Sequence, residues 1–353
     1  MMVVSGCRVH EWPEPDESTR YCIRLTFSTD MQIWENRYLS PKRAPEASQV
    51  VESTAITTQE TSVQTEGCMR YIIRAFPDRE KGRSVAAETP VAEYIFERNI
   101  ADGYDCIVPM DLPDGTYCLM VWADMVPHAG DTAYYNADDF NYITYRERYV
   151  GDTDYRDAFC GTTQVSLRGG IMEKAPDTIQ INMQRPLGKF EFVATDVQEF
   201  LRRKAGIENN APGVSGQTPA MPALTLDEND YYVMFYYLDY MPITYSMFSD
   251  KPIDSMQGLS FRARMHVLNG NEVSLGFDYV MMPDKMTEAE ASRMQVQVGV
   301  YELDGTQVSL TLPIPVSLLR NTHTILRGDF LMQDAKSGLL VNPGFDGEWN
   351  IEI

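Results

Sequence analysis

Histidine is scarce. The 353-residue chain holds four, His10, His128, His266 and His323, spread far apart, which leaves little material for a metal centre or for histidine acid–base chemistry. None of its six cysteines stands in a C-x-x-C spacing, so a structural zinc site is not expected. A G-x-S-x-G elbow, a Walker loop, an H-E-x-x-H helix and a dinucleotide fingerprint are all missing. Carboxylate pairs carry no information, because with 51 acidic residues some must lie close together in any fold. The reading is a non-enzyme that needs no cofactor.

Positive charge is short as well. Against those 51 acids stand 30 Lys and Arg, a formal net charge of −21 without a local basic patch, so a nucleic-acid partner is not expected. The acidic runs Asp102-Gly-Tyr-Asp105 and Asp138-Asp139 do not follow the spacing of a calcium loop and read as turns. No apolar run approaches the roughly 18 residues of a membrane helix.

What the chain does have is strand-forming material: hydrophobic residues make up 44%, with 20 Tyr and 14 Phe, while 23 Gly and 20 Pro punctuate it into short elements. Its length favours two domains. Tyr21–Ser28, Met69–Phe76, Val91–Arg98, Tyr104–Met110, Thr116–Ala123, Gln164–Arg168 and Thr178–Gln184 read as the strands of a first domain, residues 21–184, interrupted by a polar loop at 41–67. Tyr104–Met110 and Thr116–Ala123 are expected to form a hairpin through Pro113-Asp-Gly115, with Cys106 and Cys118 facing each other as candidates for a disulfide. The second domain, residues 185–353 with a loop at 206–230, opens on the strand Lys189–Ala194 and the helix Asp196–Ala205, where Asp196 and Glu199 have capping-box spacing. Strands follow at Tyr231–Tyr237, Leu259–Leu268, Glu272–Met281, Gln295–Glu302 and Val308–Leu312. The last residues alternate, with Trp349, Ile351 and Ile353 on one face. The predicted class is all-β: two tandem transthyretin-like, Greek-key sandwiches with one or two short helices.

Residues 1–20 read as a processing signal and tether. Val4-Ser5-Gly6-Cys7 resembles a lipobox, which makes Cys7 the expected site of lipidation and outer-membrane lipid its expected anchor. Only six residues precede Cys7, whereas an export signal needs about 7–15 apolar ones, so the signal peptide is read as truncated. The aromatic groups Tyr231-Tyr232, Phe235-Tyr236-Tyr237, Tyr134-Tyr135 and Trp122 support an alternative, a glycan-binding outer-membrane lipoprotein that stacks sugars on exposed rings.

Taken together, the stretches Gly115–Asp124, Arg156-Asp-Ala-Phe-Cys-Gly161, Arg185-Pro-Leu-Gly-Lys-Phe-Glu191, Val193–Asp196, Arg320-Asn321 with Leu326–Asp329, and Asn342–Gly347 resemble the fimbrillin-like lipoproteins of type V pili. The resemblance implies a structural surface subunit in fimbria assembly, anchoring or adhesion. It also implies other fimbrial subunits as partners through donor-strand exchange, together with a host or bacterial surface ligand. Under it, Trp349, Ile351 and Ile353 are candidate donor-strand residues, and Arg37 and Arg43, read as lying in an exposed loop, are candidate protease sites. The ending at Ile353, without a long extra tail, favours an anchor, tip or accessory role over a stalk.

Overall fold

The computed structural model describes residues 19–27, 35–39, 66–77, 89–146, 148–167, 178–207, 224–284 and 292–333. Cys7, Arg43, Trp349, Ile351 and Ile353 lie outside them, as do residues 40–65. The fold is all-β with one α-helix among the described residues.

Two sheets build the first sandwich. One has the order β10 (Thr178–Met183), β1 (Thr19–Phe27), β5 (Cys106–Leu112). The other has the order β4 (Ala92–Asn99), β3 (Cys68–Pro77), β6 (Gly115–Val126), β9 (Ala158–Leu167). Alternate residues meet between them: Ile23 and Leu25 of β1, Val108 and Met110 of β5, Tyr71 and Ile73 of β3, and Leu119 and Val121 of β6. Period-2 patterning puts each of these sets on one face.

The expected hairpin does not form. β5 pairs with β1, and β6 pairs with β3 and β9, so Pro113 and Asp114 carry the chain from one layer to the other. The Tyr117 ring folds back over Gly115, where a Cβ would lie 2.8 Å from the tyrosine oxygen, and its hydroxyl donates to the Pro113 carbonyl at 3.0 Å. The turn residues were right and the pairing was wrong, because β6 is buried on both faces. Its run Leu119–Val126 is apolar almost throughout and gives no inward or outward phase to read. Cys106 and Cys118 therefore sit in different sheets and are not bonded to each other.

The second sandwich joins two five-stranded sheets. One runs β16 (His266–Val267), β17 (Val273–Met281), β11 (Leu187–Ala194), β21 (Thr322–Gly328), β2 (Glu35–Leu39). The other runs β15 (Ser260–Ala263), β12 (Tyr231–Tyr237), β18 (Ser292–Glu302), β19 (Gln307–Leu310), with β20 (Ile314–Leu318) also on β18. Phe190, Phe192, Val233, Phe235, Val298 and Val316 fill the space between, with Val197 and Phe200 of α1 (Val197–Lys204) closing one end. Asp196 does not cap the helix through its side chain. Its carboxylate instead accepts from the backbone N–H groups of Leu331 (3.0 Å) and Met332 (2.7 Å), tying the helix start to the segment after β21.

Strands from both sides of residue 184 share sheets. β2 is parallel to β21, with Arg37 opposite Thr324. A further sheet, β14 (Lys251–Met256), β13 (Met241–Ser246), β8 (Ile143–Tyr145), β7 (Tyr135–Asn136), pairs Thr144 with Thr244. It covers the back of the β4-β3-β6-β9 sheet, so Ile72, Met120 and Trp122 pack against Tyr135, Ile143 and Tyr245, with Met281 of β17 in the same cluster.

Candidate functional site

The N-terminal strands hold the first candidate site. β1 is not an edge. It fills the slot between β10, to which it runs parallel, and β5, to which it runs antiparallel. Ile23 and Leu25 are fully buried. Burying two such side chains favours the filled slot by about 3–6 kcal/mol before any entropy cost. At its end Thr26 donates to the Asn182 side-chain oxygen at 2.9 Å and accepts from Gln180 at 3.0 Å. The same segment supplies β2 to the rim of the second sandwich. Arg37, expected in a loop, lies within that strand.

The junction between the sandwiches carries a second arrangement. Arg156 and Asp278 form an ion pair with both side chains out of water. Arg156 also donates to the carbonyls of Val150 (2.8 Å) and Tyr279 (3.0 Å), and its guanidinium lies over the rings of Tyr145 (4.4 Å) and Tyr149 (4.5 Å). Asp278 accepts from the hydroxyls of Tyr149, at 2.5 Å, and Tyr237. Around this pair, Arg185 holds Asp157 (2.9 Å), Lys189 holds Asp154 (3.1 Å), and Arg320 holds Asp250 (2.8 Å). Of these, only the Arg156–Asp278 and Arg185–Asp157 pairs are buried on both sides, and buried polar groups held by several partners favour one arrangement of the elements that supply them. The motifs Arg156–Gly161 and Arg185–Glu191 contain Arg156, Asp157, Arg185 and Lys189, but only as points of resemblance. The sequence signal that marks them is charge embedded in apolar runs.

Two buried acids give the fold an unusual pH response. Burial pushes Asp157 up to about 6 against the pull of Arg185, and pushes Asp196 up to about 6 against its backbone donors. A raised folded-state pKa means stability is fully present below the ordinary aspartate value and is lost as pH rises through about 6. Acidifying from roughly pH 7.5 to 5 is therefore expected to add about 1–1.5 kcal/mol for each group. Glu191 works oppositely. Burial would raise it, but the hydrogen bond from His323, helped by Ser274 and Lys189, brings it to about 2, and that contribution disappears as pH falls below the ordinary glutamate range. Urea midpoints across this range should peak at roughly pH 4–5. A steady decline from neutrality downward would contradict the assignment.

The aromatic groups are placed mainly inward. Trp122 and Tyr135 are completely buried, and Tyr231, Phe235 and Tyr237 nearly so. Tyr232 faces outward, yet its ring stacks on Tyr301 (5.3 Å, 15°) from the β18 side and carries the Arg262 guanidinium (4.1 Å) from the β15 side. The faces of the Tyr232 ring that a sugar would stack on are taken. His128 sits on the surface beside Asp131 (3.0 Å), and His323 pairs with Glu191 (3.1 Å). Among the described residues, no group of three or more His, Cys, Asp or Glu is placed to hold a metal ion, and no helix is long and apolar enough to cross a membrane.

The chain belongs to a family of unknown function, DUF6562, whose model matches residues 16–353. No curated protein matches it. Among solved structures it is similar to the fimbrial anchor protein Mfa2 from Porphyromonas gingivalis, at 10% identity over 83% of this chain and 82% of that one, TM-score 0.36. It is also similar to a proposed cell adhesion protein from Bacteroides eggerthii, at 12% identity over 90% and 89%, TM-score 0.37. A third is a proposed polysaccharide binding protein from Bacteroides thetaiotaomicron, at 12% identity over 70% and 72%, TM-score 0.36.

Proposed function

We propose that this member of the DUF6562 family is a non-catalytic surface subunit of a fimbrial or adhesive assembly, joined to its neighbours by strand exchange and held to the outer membrane by a lipid on Cys7. The observation that carries the reading is the position of β1. An N-terminal strand fills an internal slot, next to a parallel neighbour, and buries Ile23 and Leu25 completely. A strand so placed can be replaced by one from another chain, since the slot offers main-chain hydrogen bonds on both sides and pockets for alternate apolar residues. In this proposal a cut after Arg37 or Arg43 releases the strand, and Trp349, Ile351 and Ile353 supply the replacement from a second subunit. Arg37 is paired along β21, so the cut needs β2 to lift first.

The test is a chain that starts after residue 39, mixed with a synthetic peptide of the Thr19–Phe27 sequence. The expected result is uptake of one peptide per chain, or self-assembly when peptide is withheld. A peptide carrying Asp in place of Ile23 and Leu25 should not bind. If the shortened chain folds only with peptide present, the slot is equally supported. A shortened chain that folds, ignores the peptide and stays monomeric rejects the reading. Mass spectrometry of membrane-extracted protein tests the anchor, with an unmodified Cys7 removing that part.

A further inference from the structure

Sheet edges invite unwanted pairing, and folded proteins blunt them with Pro, bulges, charge or short length. Most free edges here are blunted in this way. β5 carries Pro109, β14 carries Pro252 beside an irregular register, β20 carries Pro315, β7 and β16 are two residues long, and β15 and β19 are four. β10 is covered at its end by β9 through the paired backbone bonds of Cys160 and Gln184.

β2 and β9 also end their sheets, but β9 exposes only Thr162, Gln164 and Ser166, whereas β4 exposes apolar side chains. β4 pairs with β3 over eight registered positions without a bulge, contains neither Pro nor Lys, and borders no further strand among the described residues. Ile100 N–H donates to the Gly67 carbonyl at 3.0 Å, which sets the phase of the ladder: even-numbered residues of β4 bond β3, while the N–H and C=O groups of Glu93, Ile95 and Glu97 point off the edge. The side chains around that edge are greasy and open, with Val91 49%, Tyr94 40% and Ile95 53% exposed.

The chemistry of the edge selects its occupant. Its outer face presents Glu93, Ile95 and Glu97 in succession. Arg74 meets Glu93 at 2.5 Å but leaves that carboxylate 41% exposed, and Glu97 accepts from the Gly130 N–H at 2.7 Å. The nearby Arg98 is spent on the carbonyls of Asp102 and Asp105. A second copy is a poor occupant, because the antiparallel register that stacks Ile95 on Ile95 sets Glu93 opposite Glu97 at both ends, and like charges across a strand pair repel. We propose that β4 is a docking edge for an extended basic segment of a partner protein, added as a further strand, with Lys or Arg opposite Glu93 and Glu97 and an apolar residue opposite Ile95. The backbone would give affinity, and the Glu-Ile-Glu pattern would give register and choice of partner. β4 takes no part in the β1 slot, so this edge and the strand-exchange reading stand or fall separately.

The probe is the peptide Thr-Lys-Thr-Ile-Thr-Lys-Thr, blocked at both ends, titrated into the full chain. Expected are saturable one-to-one binding that weakens with added salt, slower hydrogen exchange confined to residues 91–99, and no binding of the peptide with Glu in place of Lys. Ile95→Pro removes an outward N–H that β3 does not use and should weaken binding at least tenfold. Glu93→Lys with Glu97→Lys should reverse the preference towards the Glu peptide, and decides the matter if the proline variant proves unstable. Binding unchanged in Ile95→Pro, protection mapped to another surface, or a dimer that Ile95→Pro disperses would each overturn the proposal.

Discussion

Replacing Asp278 with Ala should cost at least about 3–5 kcal/mol and lower the melting temperature of both sandwiches together. The pair it breaks is out of water on both sides, and the surviving Arg156 guanidinium would stay buried between the rings of Tyr145 and Tyr149 with no carboxylate to meet it. The loss goes beyond one ion pair. Tyr149 and Tyr237 both donate to Asp278, so their hydroxyls lose their acceptor as well. Each buried donor left unsatisfied adds about 1–3 kcal/mol. Arg156→Met combined with Asp278→Leu should therefore recover part of the loss and not all of it, since the two tyrosines remain unmatched. Because Arg156 precedes β9 and Asp278 lies in β17, the pair binds one sandwich to the other. A single transition, seen at the same urea concentration by tyrosine fluorescence and by far-ultraviolet circular dichroism, is expected for the wild type. An Asp278→Ala variant within about 1 kcal/mol of wild type would show that the junction is held by other contacts.

How far a strand's partners could be read depended on whether it has one buried face or two. β1, β3, β4, β12 and β17 are close to the expected segments: Tyr231–Tyr237 changes from buried to half-buried at every step, whereas β3 and β17 are buried almost throughout and are marked as strands by their apolar runs. β6 belongs to a sheet with neighbours on both faces, so its apolar run identified a strand and gave no partner. β13 and β14 went unread. Met241–Ser246 has two half-buried residues in succession and then three buried ones, and Lys251–Met256 is exposed at nearly every residue, so neither has period 2. The Asp196 error has a similar cause. Spacing to Glu199 suggests a capping box, whereas the chain 135 residues later offers two backbone N–H groups that the carboxylate reaches instead. Long-range choices of this kind leave no local mark. The same limit hid Asp278, which reads in sequence as one acid among 51.

Trp122→Ala is expected to be the second large loss, about 3–5 kcal/mol. Trp122 lies on the back of β6, completely buried, with its ring edge-on to Tyr135 (5.4 Å, 75°) and tilted against Tyr245 (6.3 Å, 43°). Those two tyrosines come from β7 and β13, the strands on either side of β8, so the indole is a point where one side chain touches elements from both halves. Its Nε1–H donates to Asp124 at 3.0 Å, and the same carboxylate takes two bonds from Arg70, at 2.8 and 2.6 Å. Burial raises the Asp124 pKa against the pull of Arg70, so any lost donor bears on a group that is already held at a cost. Trp122→Phe keeps most of the volume and removes the donor, and should lose only about 1–2 kcal/mol, which separates packing from hydrogen bonding. Urea denaturation of both variants supplies the measurement. The comparison also bears on the choice between adhesion through strands and adhesion through rings: a buried indole makes Trp122→Ala a stability variant, and one that kept its stability while losing sugar binding would restore the glycan platform that the burial of Trp122 argues against.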